Sequence, residues 1–346
     1  MRIERWVAGD PTATQACFEI AEAVRAADDP LGPPGSARWF RASLEQTVDP
    51  MEMWFVPGET PGTAQASYHL DLPDLDNTAR ARVNLVVHPA FRRRGVGRAL
   101  LEHAARRAAE NGRSILDADV AQGRAEMPSA GESFARRTGA GAGLVDARRV
   151  FVTAEVPPER IARLREGAAR AAAGYSVVSW IGPVPDEYLL GLAAVVNALN
   201  DAPHNAGVEA RDWDARRIRE RVESRQAARG GRLYSVAAVH DATGEMAAVT
   251  AIEVGDDHPE WGHQAITAVT GRHRGHRLGL LVKAAIHQWL AAAEPGLRRV
   301  VTWNAASNQH MIAINEALGY ELLEPLWQSY ELPVADALAL ARGAAG

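Results

Sequence analysis

A strand, a basic glycine-punctuated turn and an amphipathic helix occur in that order twice in this chain, and the repeat limits the possible folds more than any other feature. The first copy is VNLVVHPAFRRRGVGRA at 83–99. Val83, Leu85, Val86 and Val87 read as strand, Pro89 ends it, and Leu100, Leu101, Ala104, Ala105 and Ala108 recur at helical spacing. The second copy, AITAVTGRHRGHRLGLLVKAAIHQWL, starts at Ala265 and presents Val282, Ala285, Ile286, Trp289 and Leu290 on one helical face. Arg92 and Arg274 stand 182 residues apart, as do Gly97 and Gly279. That spacing is too long for a solenoid and suits duplicated domains. In each copy the helix begins inside the turn, so its first N–H groups lack carbonyl partners, and glycine lets a ligand approach the backbone. A pyrophosphate matches this design. Gly95 of the first copy becomes Arg277 in the second, where a side chain either obstructs that approach or offers a guanidinium to a phosphate.

A Walker loop would need Gly-Lys-Ser/Thr, and a dinucleotide fingerprint three glycines with a later acidic residue; neither is present. Arg92, Gly95 and Gly97 instead form the arginine, two residues, glycine, one residue, glycine pattern, which resembles the acyl-CoA signature of the GNAT acetyltransferase superfamily. The HRGHRLG form of the second copy is similar to tandem GNAT proteins of actinobacteria, mycothiol-synthase-like ones among them. The resemblance implies an α/β (α+β) fold of two tandem GNAT-type domains, each a mixed, mostly antiparallel twisted sheet flanked by helices. The expected division is a domain at 1–156, a linker helix at 157–173 after Pro157 and Pro158, and a second domain at 174–346, closed by a last strand near 326–332. A second family feature stands at 308–320, where Asn308 opens a helix that lines the pantetheine channel and ends in Gly319-Tyr320. In the first half Phe134 and Gly139 survive, but Pro128 takes the asparagine's place.

Length and composition fit two ordinary cores: 346 residues, 47% hydrophobic. A net charge of −5 argues against a nucleic-acid partner, so the arginines read as local anion sites. The run 216–229, interrupted by glutamates, reads as a solvated helix face. No stretch is long and apolar enough to suggest a membrane span, and MRIERWVAGD does not read as a secretory signal. Cys17 stands alone, which excludes an internal disulfide and a cysteine-based metal cluster. The expectation is a cytoplasmic monomer or homodimer without a metal. Of 38 basic residues only Lys283 is lysine, a bias that suggests a high-GC genome.

The chemistry that the resemblance implies is direct acyl transfer from acetyl-CoA or another acyl-CoA to a small-molecule amine. Main-chain N–H groups near Val87 and Val269 would stabilise the oxyanion. Expected acyl-CoA contacts are Val86, Val87, Arg92, Arg93, Arg94, Gly95, Val96, Gly97 and Arg98 in the first domain. In the second they are Val269, Arg274, Gly275, His276, Arg277, Leu278, Gly279, Asn304 and Asn308. The family's tyrosine acid, four residues before the glycine-aromatic pair, is replaced by Asn315 and Ala135. Tyr320 and Tyr330 are the nearby tyrosines, the one at the structural aromatic position and the other in a strand. Glu253 and His263 are the base candidates beside the second strand, and Gln264 could orient a water. Asn200, Asp201 and His204, in the turn NDAPHN, are candidates for the acceptor pocket, although turn preferences explain them equally. Two function classes remain: an N-acyltransferase with catalysis in the second domain and a structural or regulatory acyl-CoA in the first, and an acyl-CoA-binding or sensing protein without turnover.

Overall fold

Alternating apolar residues at 51–57, 64–71 and 80–87 make three antiparallel strands, and the helical spacing after each signature turn makes one long helix. A computed structural model describes residues 1–123 and 127–342. In chain order the first elements are β1 (Glu4–Arg5), α1 (Pro11–Asp28), α2 (Ala37–Glu45), β2 (Met51–Pro57), β3 (Ala64–Asp71) and β4 (Arg80–Val87). There follow α3 (Val96–Glu110), β5 (Ile115–Ala121), α4 (Ala130–Arg137) and β6 (Gly141–Val152). Asp10 caps α1 by accepting from Thr12 and Ala13 N–H, and Ser36 caps α2, which is why those helices start there. Ser129 and Glu132 form a capping box at α4, supplying the cap that Pro128 could not.

The second half adds α5 (Pro158–Ala171), β7 (Tyr175–Ile181) and α6 (Asp186–Asn197). Next comes a helical stretch in which α7 (Ala215–Arg217) runs through a π-turn at Ile218–Glu223 into α8 (Ser224–Arg229). Then follow β8 (Arg232–His240), β9 (Met246–Val254), β10 (Trp261–Val269), α9 (Leu278–Ala293), β11 (Arg299–Ala305), α10 (Gln309–Leu318), β12 (Glu321–Leu322), β13 (Trp327–Pro333) and α11 (Val334–Arg342). Among the described residues no helix is long and apolar enough to cross a membrane.

Contacts divide the chain into two units. One comprises Met1–Asp146, Asn205–Glu209 and Glu324–Gly346, the other Ala147–His204 and Ala210–Leu323. Strand order is β1-β2-β3-β4-β5-β13-β6 in the first and β6-β11-β10-β9-β8-β7 in the second, where β12 also pairs with β6. In the first unit Tyr68, Leu70, Leu100, Ala104 and Leu116 form the core; in the second Ile252, Leu278, Ile286 and Leu290 do.

Two expectations are corrected. The last strand, placed by sequence in the second domain, pairs with β5 along its whole length, from Trp327↔Ala121 to Pro333↔Ile115, and so completes the first unit. Alternation identifies a strand but does not name its partner. The division expected after residue 156 accordingly falls inside β6. The helix expected at 157–173 is α5, and its Ile161 and Ala168 are buried in the second unit's core beside α9.

Removing residues 324–346 should therefore unfold the first unit, because β5 and the start of β6 each lose a ladder neighbour, while the second unit keeps all its strands. Limited proteolysis read by mass spectrometry checks this: the expected outcome is cleavage concentrated in 1–146.

Candidate active site

Both signature strands share one irregularity. Each pairs with its hairpin neighbour throughout but with the following parallel strand over three residues only. β4 leaves β5 after Arg82↔Asp117, and β10 leaves β11 after His263↔Val301. Beyond those points the strand edges diverge, and each opening ends at the basic turn.

The turns repeat the same backbone. In the first, Arg93 and Gly95 have φ of 63° and 84°; in the second, Gly275 and Arg277, the corresponding positions, have 89° and 56°. Each turn thus needs two left-handed residues and makes one of them glycine and the other arginine, in opposite order. The missing glycine at 277 has moved two residues upstream. Gly95 and Arg277 are the N-caps of α3 and α9, and neither helix has a side-chain cap, so the first-turn N–H groups stay available to an anion. Gly97 and Gly279 serve packing. A Cβ on Gly97 would touch Val87 and Phe134 at 3.6 Å, and one on Gly279 would lie 3.3 Å from Ile314 and 3.7 Å from Val269.

The signature arginines are each paired with an aspartate. Arg92 forms a two-pronged pair with Asp28 at 2.8 and 2.7 Å and donates Nε to the Val87 carbonyl; Arg274 pairs with Asp201 at 2.7 Å. Asp28 is the last residue of α1 and Asp201 lies four residues after α6, so in each unit an aspartate at a helix C-terminal end holds the turn. Arg94 lies over the Phe91 ring at 5.5 Å, and Arg98 donates to the Leu340 carbonyl. Arg93, Arg94, Gly95 and Arg98, like Gly275, His276 and Arg277, are exposed, whereas Val96 and Leu278 are buried and Val86 and Val87 half-buried. His276 also packs on Tyr175, ring centroids 5.3 Å apart.

The acceptor-pocket candidates are engaged by neighbouring groups. Asn200 bonds both the N–H and the carbonyl of Arg211, Asp201 is held by Arg274, and His204 Nδ1 lies 3.0 Å from the Ala202 carbonyl. Asn308 caps α10 by accepting from Met311 N–H at 3.1 Å. Asn304 bonds the Ala305 carbonyl and accepts from Asn315, which is 0% exposed. The two tyrosines part company: Tyr330 lies in the first unit, paired with Ala118 and Ala142, and Tyr320 is buried with its hydroxyl 3.0 Å from His287 Nε2. Burial raises the Tyr320 pKa and pushes that of His287 down to about 3.

Glu253 and His263 do come together, as register partners on β9 and β10 at the point where β10 parts from β11. Paired residues share a sheet face. Glu253 is 6% exposed; one carboxylate oxygen lies 3.7 Å from Arg229 and the other has no hydrogen-bond partner. Burial raises the Glu253 pKa, and burial together with Arg229 lowers that of His263 to about 4. The run 216–229 is thus only partly a solvated face: Arg217 is buried over the Trp213 ring, and Arg229 reaches Glu253.

Sequence reasoning missed one feature altogether. Pairing of β10 with β9 shifts between Gln264 and Ile266, so that Ala265 is an extra residue, a β-bulge where β10 leaves β11. The equivalent β3–β4 ladder is regular from Ala66↔Val87 to Asp71↔Arg82. The only signal was the odd residue between the two copies: His263 and Arg82 are 181 apart, and Val269 and Val87 are 182 apart.

The profile of the acetyltransferase (GNAT) domain matches residues 54–131. A solved tandem GNAT protein from the clavulanic acid biosynthesis pathway is similar over 96% of this chain and 98% of its own, at 30% identity and a TM-score of 0.79. A GCN5-related N-acetyltransferase from Sphaerobacter thermophilus shares the fold at 15% identity, covering 96% and 95% of the two chains with a TM-score of 0.67. No match was found among curated proteins.

Two substitutions test the turns. Nothing lies within 4 Å of a Cβ at Gly95, but its φ of 84° strains any side chain, so Gly95→Trp is first shown to be folded by circular dichroism; in the folded variant the indole covers the helix N-terminus, and native mass spectrometry should find acyl-CoA lost from the first unit. Arg277→Gly relieves a left-handed arginine, so any weakening of acyl-CoA binding reports the lost guanidinium. A charge-assisted contact of about 1.5–3 kcal/mol predicts roughly a tenfold to hundredfold weaker Kd by calorimetry.

Proposed function

Because this chain belongs to the tandem GNAT acetyltransferases, we propose that it transfers an acyl group, acetyl in the simplest case, from CoA to the amine of a small molecule, with the chemistry in the second unit and a structural or regulatory acyl-CoA in the first. The observation that carries the assignment is the bulge at Ala265, present in β10 and absent from β4. A bulge turns the backbone away from ladder geometry, and such sites are common beside active centres. Here it lies at the mouth of the strand opening, where main-chain N–H groups between Ala265 and Val269 would receive a thioester carbonyl as its oxygen gains charge.

In this reading the neutral amine attacks the thioester carbon, the C–S bond breaks, and the thiolate leaves. Glu253 takes the proton that the nitrogen loses. Its burial makes it a stronger base than an ordinary carboxylate, whereas His263, driven down to about 4, is neutral near pH 7 and too weakly basic to compete. Binding without turnover is the second reading, favoured by the absence of a tyrosine at Ala135 and Asn315. Release of free CoA in the presence of a panel of amines separates the two.

Glu253→Gln should lower kcat about 10²–10⁴-fold, the range for loss of a general base. The wild-type kcat/KM should fall as pH drops through the raised pKa of Glu253, since only the carboxylate accepts a proton. That acidic limb should vanish in Glu253→Gln, as a pH–rate profile of both proteins would measure.

A further inference from the structure

The only lysine among the 38 basic residues of this chain is 0% exposed, in the middle of α9. We propose that Lys283 and Gln264 form a brace that holds the β10 bulge in its working geometry, so that Lys283 is a positioning residue for acyl transfer in the second unit; this rests on the assignment of the chemistry to that unit.

The bonds converge on the bulge. Lys283 Nζ donates to Gln264 Oε1 at 2.8 Å. Gln264 Nε2 in turn donates to the carbonyls of Ala251 at 2.7 Å and Ile266 at 2.8 Å, and to Thr250 Oγ1 at 2.9 Å. Ala251 is the residue opposite Ile266 on β9, the first pair after the extra residue. One side-chain amide therefore bridges the two strands where the ladder is broken and replaces the bonding that the bulge disrupts. A glutamine can make this bridge only with its nitrogen toward the carbonyls. Its oxygen then needs a donor on the other side, and Lys283 is that donor, so it determines which way round the carboxamide sits.

The residue type follows from burial. A guanidinium stays charged at any pH a protein meets, whereas a lysine can shed its proton and still donate an N–H. Burial lowers the Lys283 pKa to about 7, and its Nζ lies 4.9 Å from the centre of the Tyr320 ring, a face that tolerates the charged form.

Brace and bulge also come and go together. The position of Lys283 in the first copy is Leu101, and that of Gln264 is Val83, both buried in the apolar core of the first unit, where the β3–β4 ladder is regular. A merely space-filling lysine has no reason to follow the bulge.

The test compares Lys283→Met, Lys283→Arg, Gln264→Met and the Lys283→Met/Gln264→Met pair in the full chain. Steady-state kinetics and hydrogen exchange of the 261–269 segment are measured on material shown to be folded. The expected result is a fall in kcat of about a hundredfold in each single variant, the scale of a small misplacement of reacting groups, with KM for acyl-CoA nearly unchanged. The double variant should be no worse than either single one, because the two residues act as one unit. Exchange at 261–269 should rise in all of them, and Lys283→Arg should not rescue. If Lys283→Met does not fold, Gln264→Glu, which keeps the size and still accepts from Lys283 but loses the donors, carries the same prediction. Faster exchange with unchanged kcat, together with turnover abolished by Gly95→Trp, would support the brace and overturn the choice of unit. Unchanged exchange at the bulge, or a kcat per folded molecule equal to wild type while Gly95→Trp retains turnover, would overturn the brace.

Discussion

The early parting of a strand from its parallel neighbour is the constraint on which the rest of each unit depends. Three register pairs hold β10 to β11 and three hold β4 to β5; past them, among the described residues, the signature strand is no longer paired with that neighbour. An unpaired strand edge in the middle of a sheet is costly unless something accepts its hydrogen bonds, so the opening amounts to a place for an extended polar ligand. The basic turn and the uncapped helix start sit at the end of the same strand. Under the proposed reading, one backbone segment would thus align carrier, reactive end and phosphates.

Duplication then lets the two openings be compared as near-replicates. Both keep the pair of left-handed turn residues, the aspartate that clasps the signature arginine, and the glycine packed on a valine of the strand and a side chain of the next helix, Phe134 in one unit and Ile314 in the other. Those features concern holding an anion and a helix against a sheet. The units differ in what lies where the strands part. The first has Arg82 paired with Asp119, and Asp117, its pKa raised by burial, in register with Arg82; the second has buried Glu253 beside half-buried His263, and Gln264 bonded to Lys283. Buried ionisable groups are expensive to keep.

Local signals were legible in the sequence and long-range ones were not. The two turns, both signature helices and the Gly319 stop of α10 could be read because each is set by neighbouring residues; Gly319 takes φ of 104°, which L side chains rarely adopt. The destination of β13 could not be read, since a period of two says only which side chains share a face. Arg92, Arg274, Asp201 and Asn200 are residue types that bind ligands, but they bind backbone and one another here, because exposed turns need the same hydrogen bonds that substrates do. Lys283 was visible as an oddity of composition. Its meaning depended on Gln264, nineteen residues away on another element, and on a bulge that only pairing reveals.

The residue that replaces the tyrosine acid bears on how the proton is handled. Asn315 is buried, donates to Asn304 and leaves its Oδ1 without a partner, so it can accept a hydrogen bond but cannot protonate a leaving group. The reaction does not require a separate acid. The amine gives up one proton and the thiolate gains one, so a single carboxyl that takes the first can return it, directly or through water. A pKa raised by burial suits this double duty better than an ordinary one, because the carboxyl must hold the proton briefly and then release it. Under the proposed reading, the absence of a tyrosine at 315 and the burial of Glu253 are compatible, since one carboxyl would carry the proton in both directions.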